Sequence, residues 1–160
     1  TNMQKNNFLI TQNIDGLHQK SGIPRNKIIE IHGNAIEAAC LECGAKQNIT
    51  DFHDAIKTKK QLPRCTVCNG TVKVATISFG QPMHEEDMEK ASNIVEDSDL
   101  MIVMGSSLKV LPAGKLPNLA MQSGSKLVIL NREKTRYDSI ADVVINDELQ
   151  NICSGLIQKL

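Results

Sequence analysis

The sequence predicts an α/β fold: a doubly wound parallel sheet of the Rossmann type with an inserted four-cysteine zinc-binding module. Short apolar runs alternate with helix-like segments along most of the 160 residues. Continuous apolar runs are typical of parallel strands that are covered on both faces. Two Cys-x-x-Cys pairs interrupt this rhythm between residues 40 and 68. We therefore expect a Rossmann-like domain formed by residues 1–35 and 76–160, and a zinc-binding module at residues 36–75.

The predicted strands are short and rich in Ile, Leu, Val and Met. They cover residues 8–10, 28–31, 100–104, 127–130 and 143–145. Each run is shorter than a typical helix and is followed by polar or glycine residues, which favours buried strands over helices.

Two helices are predicted between these strands. Residues 84–96 place apolar side chains on one helical stripe within a polar segment. Residues 112–122 form a second helix, which should be short, broken or kinked because Pro117 lies inside it. Gly124 stands just past its end, where a left-handed cap would lie.

The last segment predicts an amphipathic helix, which Asn146 or Asp147 could cap. Its apolar residues recur at spacings of three and four, as one face of a helix requires. They are Leu149, Ile152, Cys153, Leu156, Ile157 and Leu160.

Composition excludes several classes of function. Lys+Arg and Asp+Glu balance at 18 each, so bulk charge does not indicate binding to nucleic acid or to a membrane surface. Aromatic content is 2% with no Trp, which disfavours stacking on single-stranded nucleic acid. No apolar run approaches the roughly 18 residues of a membrane span, and residues 1–7 are too polar for a signal sequence. We expect a soluble, cytoplasmic protein.

The two cysteine pairs indicate a structural metal site. Cys40 with Cys43 and Cys65 with Cys68 each place two thiolates on one knuckle, and two knuckles complete a tetrahedral site for one Zn²⁺. Four sulfur ligands leave no open position for a reacting water. Redox dithiols or two disulfides remain the alternative, disfavoured because a reducing compartment is expected.

Polar residues follow four of the predicted strands. In open α/β sheets, ligands bind beyond the carboxyl ends of the strands. Those ends carry residues 11–15, the pair His32 and Gly33, residues 105–107 and residues 131–133. Together they predict a polar cleft suited to ribose hydroxyls and phosphates.

Each of these residues also has a structural interpretation. Asp15 could cap a short helix at residues 16–21, and Ser106 or Ser107 could cap the segment that follows them. A lone histidine such as His32 is by default a satisfied core residue, but its place at a strand end before a glycine favours a functional role. The ten glycines never form Gly-x-Gly, so the usual phosphate-binding loop is absent from these residues.

Taken in order, several motifs resemble those of sirtuins, the NAD-dependent protein-lysine deacylases. They are Thr-Gln-Asn-Ile-Asp-Gly-Leu-His at 11–18, Ile-His-Gly-Asn at 31–34, the two Cys-x-x-Cys pairs, Ile-Ser-Phe-Gly at 77–80, Gly-Ser-Ser-Leu-Lys-Val-Leu-Pro at 105–112 and Ile-Leu-Asn at 129–131. The resemblance covers nearly the whole chain and is weak only over the last twenty residues.

The resemblance implies NAD as cofactor and a defined reaction. The acyl oxygen of a modified lysine attacks the anomeric carbon of the nicotinamide ribose and expels nicotinamide. The residue matching His32 then acts as a general base on a ribose hydroxyl. The products are free lysine, nicotinamide and O-acyl-ADP-ribose. The implied catalytic residues are His32 and Asn13.

The resemblance also implies binding residues. Those for the cofactor are Gln12, Asn13, Ile14, Asp15, Gly105, Ser106, Ser107, Asn131 and Glu133. Those for the acyl-lysine peptide are Ile77, Phe79, Gly80, Lys109, Val110 and Leu111, some of them by adding strands to the peptide backbone. The implied metal ligands are the four paired cysteines, and the implied partners are proteins acetylated or acylated on lysine.

The family carries a Gly-Ala-Gly cofactor loop N-terminal to the motif at residue 11, and these 160 residues do not contain it. Two further functions therefore stay open. One is a catalytically incomplete, zinc-stabilised fragment that binds acyl peptides. The other is mono-ADP-ribosyl transfer to a protein acceptor.

Overall fold

The computed structural model describes residues 6–58, 62–78 and 80–158. The chain forms two compact units, Thr1–Asp87 and Met88–Leu160. No helix within the described ranges is both long and apolar enough to cross a membrane. The domain boundaries predicted from the sequence differ from this division and stay a prediction.

Within its described residues, the first unit contains five strands and two short α-helices. They are β1 (Leu9–Thr11), α1 (Leu17–Lys20), β2 (Ile28–Glu30), β3 (Gly33–Cys40), β4 (Lys46–Asn48), α2 (His53–Lys57) and β5 (Val72–Thr76). Strands β1 and β2 pair in parallel, and Ile31 N–H extends the pairing by donating to the Thr11 carbonyl at 3.1 Å. Their carboxyl ends therefore lie at the same edge.

The other three strands of this unit form an antiparallel sheet in the order β4-β3-β5. The sequence analysis did not predict these strands, because few of their residues form continuous apolar runs. The sheet has a small core made of Ala38, Cys40, Phe52, Cys65 and Val72. Two of those five buried residues are paired cysteines, so the module depends on its sulfur atoms for packing as well as for any metal.

The described part of the second unit is a three-stranded parallel sheet with three α-helices. Its elements are α3 (Glu85–Glu96), which begins just before the boundary, then β6 (Leu100–Met104), α4 (Leu116–Gln122), β7 (Lys126–Leu130), β8 (Val143–Ile145) and α5 (Leu149–Ile157). Strand β7 is central, between β6 and β8. The prediction of an α/β fold with parallel strands is confirmed, and all five predicted strands are present within one residue of their expected bounds.

The expectation that both faces of the sheet are covered was wrong for β6. Met101 and Val103 point to the core, whereas Leu100, Ile102 and Met104 are about half exposed. Helix α4 packs on β6 and β7. Among the described residues, the opposite face of β6 remains open, so its apolar side chains alternate between core and surface.

The predicted helix at residues 112–122 is broken as expected. A 3-10 turn at Ala113–Lys115 precedes α4, and Pro117 lies in the first turn of α4, where its missing N–H costs no hydrogen bond. Gly124 has a positive φ of 91° just after the helix, consistent with the predicted left-handed cap.

The last helix is shorter and more exposed than predicted. Helix α5 ends at Ile157, and of the five described residues on its predicted apolar stripe only Ile152 is buried. Leu156 and Ile157 are exposed, and Leu160 lies outside the described residues. The apolar residues of α5 do recur at helical spacing, but the other described residues of the chain bury only the turn that contains Ile152.

The capping residue of α5 also differs from the prediction. Glu148 occupies the N-cap position and makes no side-chain cap bond. The Asp147 carboxylate instead accepts from Glu148 N–H at 2.7 Å and from the Asn151 amide at 3.0 Å. The Asn146 amide donates to the Asn131 carbonyl at 3.1 Å. Asn146 therefore stabilises the edge of the sheet and does not cap α5.

Candidate functional site

A cavity of about 580 Å³ opens at the carboxyl edge of β1 and β2. This volume lies within the range of roughly 300–1,000 Å³ usual for small-molecule sites. Its lining comes from three stretches of the first unit: Gln12, Asn13, Ile14 and Asp15, then His32, then Thr76, Ile77 and Ser78. The structure thus brings together six of the residues that the sequence analysis singled out.

The ring of His32 is half-buried and held by the backbone. Its Nδ1 lies 3.2 Å from the carbonyl oxygen of Gln12. A carbonyl oxygen can only accept a hydrogen bond, so Nδ1 carries the proton in this contact. The neutral imidazole then has its lone pair on Nε2, the nitrogen that could take a proton. The strand pairing therefore fixes both the orientation and the tautomer of this histidine.

The loop after β1 is ordered by its own polar groups. Asn13 N–H donates to the buried Thr11 hydroxyl at 3.0 Å, and Ala35 N–H donates to the Ile14 carbonyl at 2.8 Å. Asp15 accepts from Leu17 N–H at 3.0 Å, which supports its structural interpretation at the start of α1. The side chains of Asn13, Ile14 and Asp15 are exposed, so they remain accessible to a ligand.

Gly33 allows a close approach between β3 and β5 beside His32. Its φ is 68°, and a Cβ built there would lie 2.0 Å from the carbonyl oxygen of Ala75. The His32 carbonyl accepts from Ile77 N–H at 3.0 Å. This approach brings residues 76–78 to the cavity wall, and only glycine permits it.

Asn34, which belongs to the same motif, is a buried structural residue. Its amide nitrogen donates to the carboxylates of Glu30 (3.0 Å) and Glu37 (3.1 Å), and its oxygen accepts from Glu37 N–H at 2.9 Å. Burial acts to raise the pKa of Glu37. The hydrogen bond from Asn34 and the adjacent Arg25 guanidinium outweigh it, so that pKa lies below its usual value. A charged Glu37 therefore helps to hold the turn that carries His32.

The second unit contributes a separate carboxyl edge, after β6, β7 and β8. Gly105 has a φ of 63° and donates to the Leu130 carbonyl at 2.9 Å. The Ser106 hydroxyl accepts from Leu108 N–H at 3.2 Å, which supports its structural interpretation as a cap for the following turn. Ser107 is exposed. This edge collects the three residues expected to contact phosphate and ribose.

Asn131 and Glu133 lie at the same edge, directly after β7. Asn131 is buried, and its amide donates to the Glu133 carbonyl at 2.6 Å. The Glu133 side chain is exposed, 3.8 Å from the guanidinium of Arg132. Asn131 therefore shapes the loop, and Glu133 has the freer side chain of the two.

The residues expected to contact the peptide fall into three groups. Ile77 lines the cavity. Gly80 is exposed with a φ of 81°, and the stretch 109–111 is exposed in the second unit. Phe79, predicted to line an acyl-lysine tunnel, lies outside the described residues.

The four paired cysteines form one compact cluster in the first unit. Their sulfur atoms all lie within 4.8 Å of one another, with Cys40–Cys68 at 3.5 Å and Cys43–Cys65 at 3.7 Å. Four sulfurs at about 2.3 Å from a central zinc would be about 3.8 Å apart. The cluster therefore fits one tetrahedral Zn²⁺, and its two short sulfur–sulfur pairs each join different knuckles.

The thiols of this cluster differ in acidity. Backbone N–H groups of Cys68 and Val67 lower the pKa of Cys65 to about 6. The Cys43 N–H also acts to lower the pKa of Cys40, but burial and the neighbouring thiols raise it to about 12. Metal binding requires thiolates, so a bound cation must displace the proton of Cys40.

Three residues of interest were missed by the sequence analysis. Thr76 and Ser78 line the cavity because β5 pairs with β3, and no local pattern predicted that strand. Gln47 contacts the cysteine cluster from β4, another unpredicted strand. A pairing between distant segments determines all three positions. The motif at residues 77–80 was a signal for Ser78, whereas no local pattern identified Thr76 or Gln47.

A model of the Sir2 family matches residues 1–112. The chain is 44% identical over 141 residues to an NAD-dependent protein deacetylase of Rhodopseudomonas palustris, covering 88% of this chain and 56% of that protein. It is 47% identical over 141 residues to NAD-dependent protein deacetylase 1 of Bradyrhizobium diazoefficiens, covering 88% and 55%. The chain thus spans about half the length of these relatives.

Solved structures agree with the sequence relatives. A Sir2 protein with a p53 peptide and NAD⁺ superimposes with a TM-score of 0.84 at 35% identity, covering 95% of this chain and 62% of the other. The structure of Sir2Tm bound to a propionylated peptide gives a TM-score of 0.86 at 35% identity, covering 95% of this chain and 63% of the other. With the family match over most of its length, this chain belongs to the Sir2 family.

Proposed function

We propose that the protein is an NAD-dependent protein-lysine deacylase in which His32 is the general base. The observation that carries the proposal is the ring of His32, oriented by the Gln12 carbonyl at 3.2 Å and lining the cavity with residues 12–15. Membership of the Sir2 family and the likeness to proteins named as NAD-dependent deacetylases support it.

The donor set of the cavity suits the nicotinamide ribose part of NAD. The amides of Gln12 and Asn13 offer both donors and acceptors, the carboxylate of Asp15 can accept, and His32 offers an acceptor nitrogen. NAD would supply the glycosidic bond to nicotinamide, whose cleavage drives removal of the acyl group. The side chains of residues 12–15 would bind and orient this ligand.

The role of His32 follows from its hydrogen bond. With its proton held on Nδ1, the ring can accept a proton from a ribose hydroxyl at Nε2, and the Gln12 carbonyl stabilises the resulting imidazolium. Asn13 would assist catalysis by positioning the reacting groups. In the second unit, cofactor contacts are proposed for residues 105–107, Asn131 and Glu133 at the carboxyl edge of its sheet.

Substrate contacts complete the proposal. Ile77 and Gly80, with Phe79 and the stretch 109–111, would hold an acetylated or acylated lysine and its peptide backbone. The four cysteines would hold one structural Zn²⁺, which takes no part in the reaction because its coordination is complete.

The test is a mass-spectrometric assay of the folded, zinc-loaded protein with NAD and an acetyl-lysine peptide. We expect deacetylated peptide, nicotinamide and O-acetyl-ADP-ribose in equal amounts. His32→Ala should lower turnover by about 10²–10⁴-fold, the usual contribution of a general base. His84→Ala is the matched control, since His84 is exposed and outside the cavity, and it should leave the rate unchanged.

Other outcomes would contradict the proposal in different ways. Turnover of His32→Ala at the unsubstituted rate would remove His32 from the role of base. Peptide binding without any product would favour an acyl-peptide-binding fragment. A labelled protein acceptor in place of deacetylated peptide would favour mono-ADP-ribosyl transfer.

A further inference from the structure

The side-chain amide of Gln47 contacts the second cysteine knuckle from the strand that follows the first. It lies on β4, four residues after Cys43, and is half-buried. Its Nε2 donates to the sulfur of Cys65 at 3.3 Å. Its Oε1 accepts from Thr66 N–H at 3.1 Å and from the Thr66 hydroxyl at 2.9 Å. Both ends of one amide are therefore used on the second knuckle.

The position of Gln47 is fixed from the side of the first knuckle. Strand β4 pairs with β3 in a register that sets Gln47 opposite Ala38, and β3 ends at Cys40. Cys40 N–H also donates to the Ala45 carbonyl at 3.0 Å. Gln47 thus joins the strand pair that presents Cys40 to the loop that presents Cys65.

Each knuckle is closed by a backbone hydrogen bond within its own turn. Gly44 N–H donates to the Cys40 carbonyl at 3.1 Å, and Asn69 N–H donates to the Cys65 carbonyl at 2.9 Å. Each closes its own turn. Leu41 N–H donates to the Thr71 carbonyl at 2.9 Å and so joins the first knuckle to the residue before β5. Gln47 adds a second connection, at Cys65 and Thr66, and so helps to set the distance between the turns.

The donor end of the amide also has an electrostatic effect. Zn²⁺ with four thiolates carries a net charge of −2, and hydrogen bonds to sulfur offset part of it. The Cys65 sulfur accepts from Val67 N–H at 3.4 Å as well as from Gln47. Partners of metal ligands orient them and tune metal affinity, and their loss usually costs about 10–100-fold.

We propose that Gln47 is a positioning residue for the metal site: its amide holds the Cys65 sulfur in ligating geometry, so that zinc is retained. This inference rests on metal binding by the four cysteines, and it is independent of the deacylase activity.

The two ends of the amide can be tested separately. Gln47→Glu keeps an acceptor for Thr66 and replaces the N–H donor with a carboxylate oxygen beside the sulfur. Gln47→Met removes both ends and keeps the length of the side chain. Gln150→Glu is the matched control, because Gln150 is exposed on α5 in the other unit.

The measurement is zinc transfer from the purified, zinc-loaded protein to a chromogenic chelator. We expect Gln47→Glu and Gln47→Met to bind zinc about 10–100-fold more weakly than the unsubstituted protein, and Gln150→Glu to match it within twofold. Circular dichroism of each zinc-loaded variant checks that it is folded, and a metal content of one per chain checks that it is loaded.

Cobalt substitution gives an absorption band that would stay unchanged if Gln47 had only a structural role. Loss of a hydrogen bond to sulfur makes the thiolate a better electron donor, so the thiolate-to-Co²⁺ absorption of folded Gln47→Glu should shift to lower energy. Zinc retention within twofold of the unsubstituted protein would overturn the proposal. Weakening in Gln47→Met alone, with an unshifted cobalt band in Gln47→Glu, would also overturn it, because only the Thr66 contacts would then matter.

Discussion

The hydroxyl of Tyr137 donates a buried hydrogen bond of 2.9 Å to the carbonyl oxygen of Gly114. The neighbouring Arg136 guanidinium donates to the carbonyl of Leu108, a buried residue with a φ of 57°. These two adjacent residues therefore hold both ends of the turn between β6 and α4. That turn follows Ser106 and Ser107, so its order depends on a segment more than twenty residues away along the chain.

Removing the Tyr137 hydroxyl should destabilise the second unit. In Tyr137→Phe the Gly114 carbonyl loses its buried partner, which costs about 1–3 kcal/mol. Urea unfolding followed by circular dichroism measures the change. An unchanged unfolding midpoint would show that water satisfies the Gly114 carbonyl equally well.

Alanine at two glycines should have opposite effects on stability. A Cβ at Gly114 would lie 2.4 Å from the Leu108 carbonyl oxygen, so Gly114→Ala should cost about 1–3 kcal/mol through overpacking. Gly155 lies inside α5 with open space around its Cβ position, so Gly155→Ala should stabilise by about 0.4–1 kcal/mol. The two unfolding free energies, measured in urea, should change in opposite directions, and a shift in the same direction would contradict the prediction.

A second pair of glycines separates steric clash from backbone strain. Gly33→Ala combines a φ of 68° with a Cβ placed 2.0 Å from the Ala75 carbonyl oxygen, so it should cost more than about 2 kcal/mol. Gly22→Ala has a φ of 89° but open space, so strain alone should cost about 1–2 kcal/mol. Denaturant unfolding gives both values. Equal losses of unfolding free energy in the two variants would mean that β5 shifts away from Gly33 without further loss of stability.

Chelating the metal should unfold the cysteine module. Cys40 and Cys65 are two of the five buried residues of its core, and the metal joins the two knuckles that carry them. We expect the amides of β3 and β5 to lose protection from hydrogen exchange after chelation and to regain it when zinc is restored. The amides of β7 serve as an internal reference. Unchanged protection in a metal-free sample would show that the core alone holds the module.

Acid should remove the contribution of Asp142 to stability. Its carboxylate accepts from the Lys126 ammonium at 2.8 Å and from Leu127 N–H at 2.9 Å, and these contacts lower its pKa. A carboxyl with a lowered folded-state pKa stabilises above its unfolded value of about 3.9, and the contribution is lost as pH falls through the folded value. Asp142→Asn should therefore lower the melting temperature at pH 7 and progressively less below about pH 4.

The control for that comparison is Asp97→Asn at an exposed position. It should leave the melting temperature nearly unchanged at both pH values. A difference between Asp142→Asn and the unsubstituted protein that stays constant down to pH 2.5 would mean that charge on Asp142 contributes nothing.

Much of the fold could be predicted because the relevant interactions are local or compositional. Strand β6 was predicted at its observed bounds, because a short run of five consecutive apolar residues in a small α/β protein favours a strand of the sheet. The metal-ligand set could also be predicted, because the two-residue spacing within each pair determines the geometry of its knuckle. The set is Cys40, Cys43, Cys65 and Cys68. His32 stood out because a strand end and a following glycine are both visible in the sequence.

What the sequence by itself determined was therefore the type of each segment and the chemistry of its polar residues. Tertiary structure alone decided which segments pair: β5 with β3, which brings Thr76 and Ser78 to His32, and β4 with β3, which brings Gln47 to Cys65. The physical reason is that pairing energy comes from backbone groups that every residue carries, together with side chains far apart along the chain. Such contacts leave no periodic signal in the sequence.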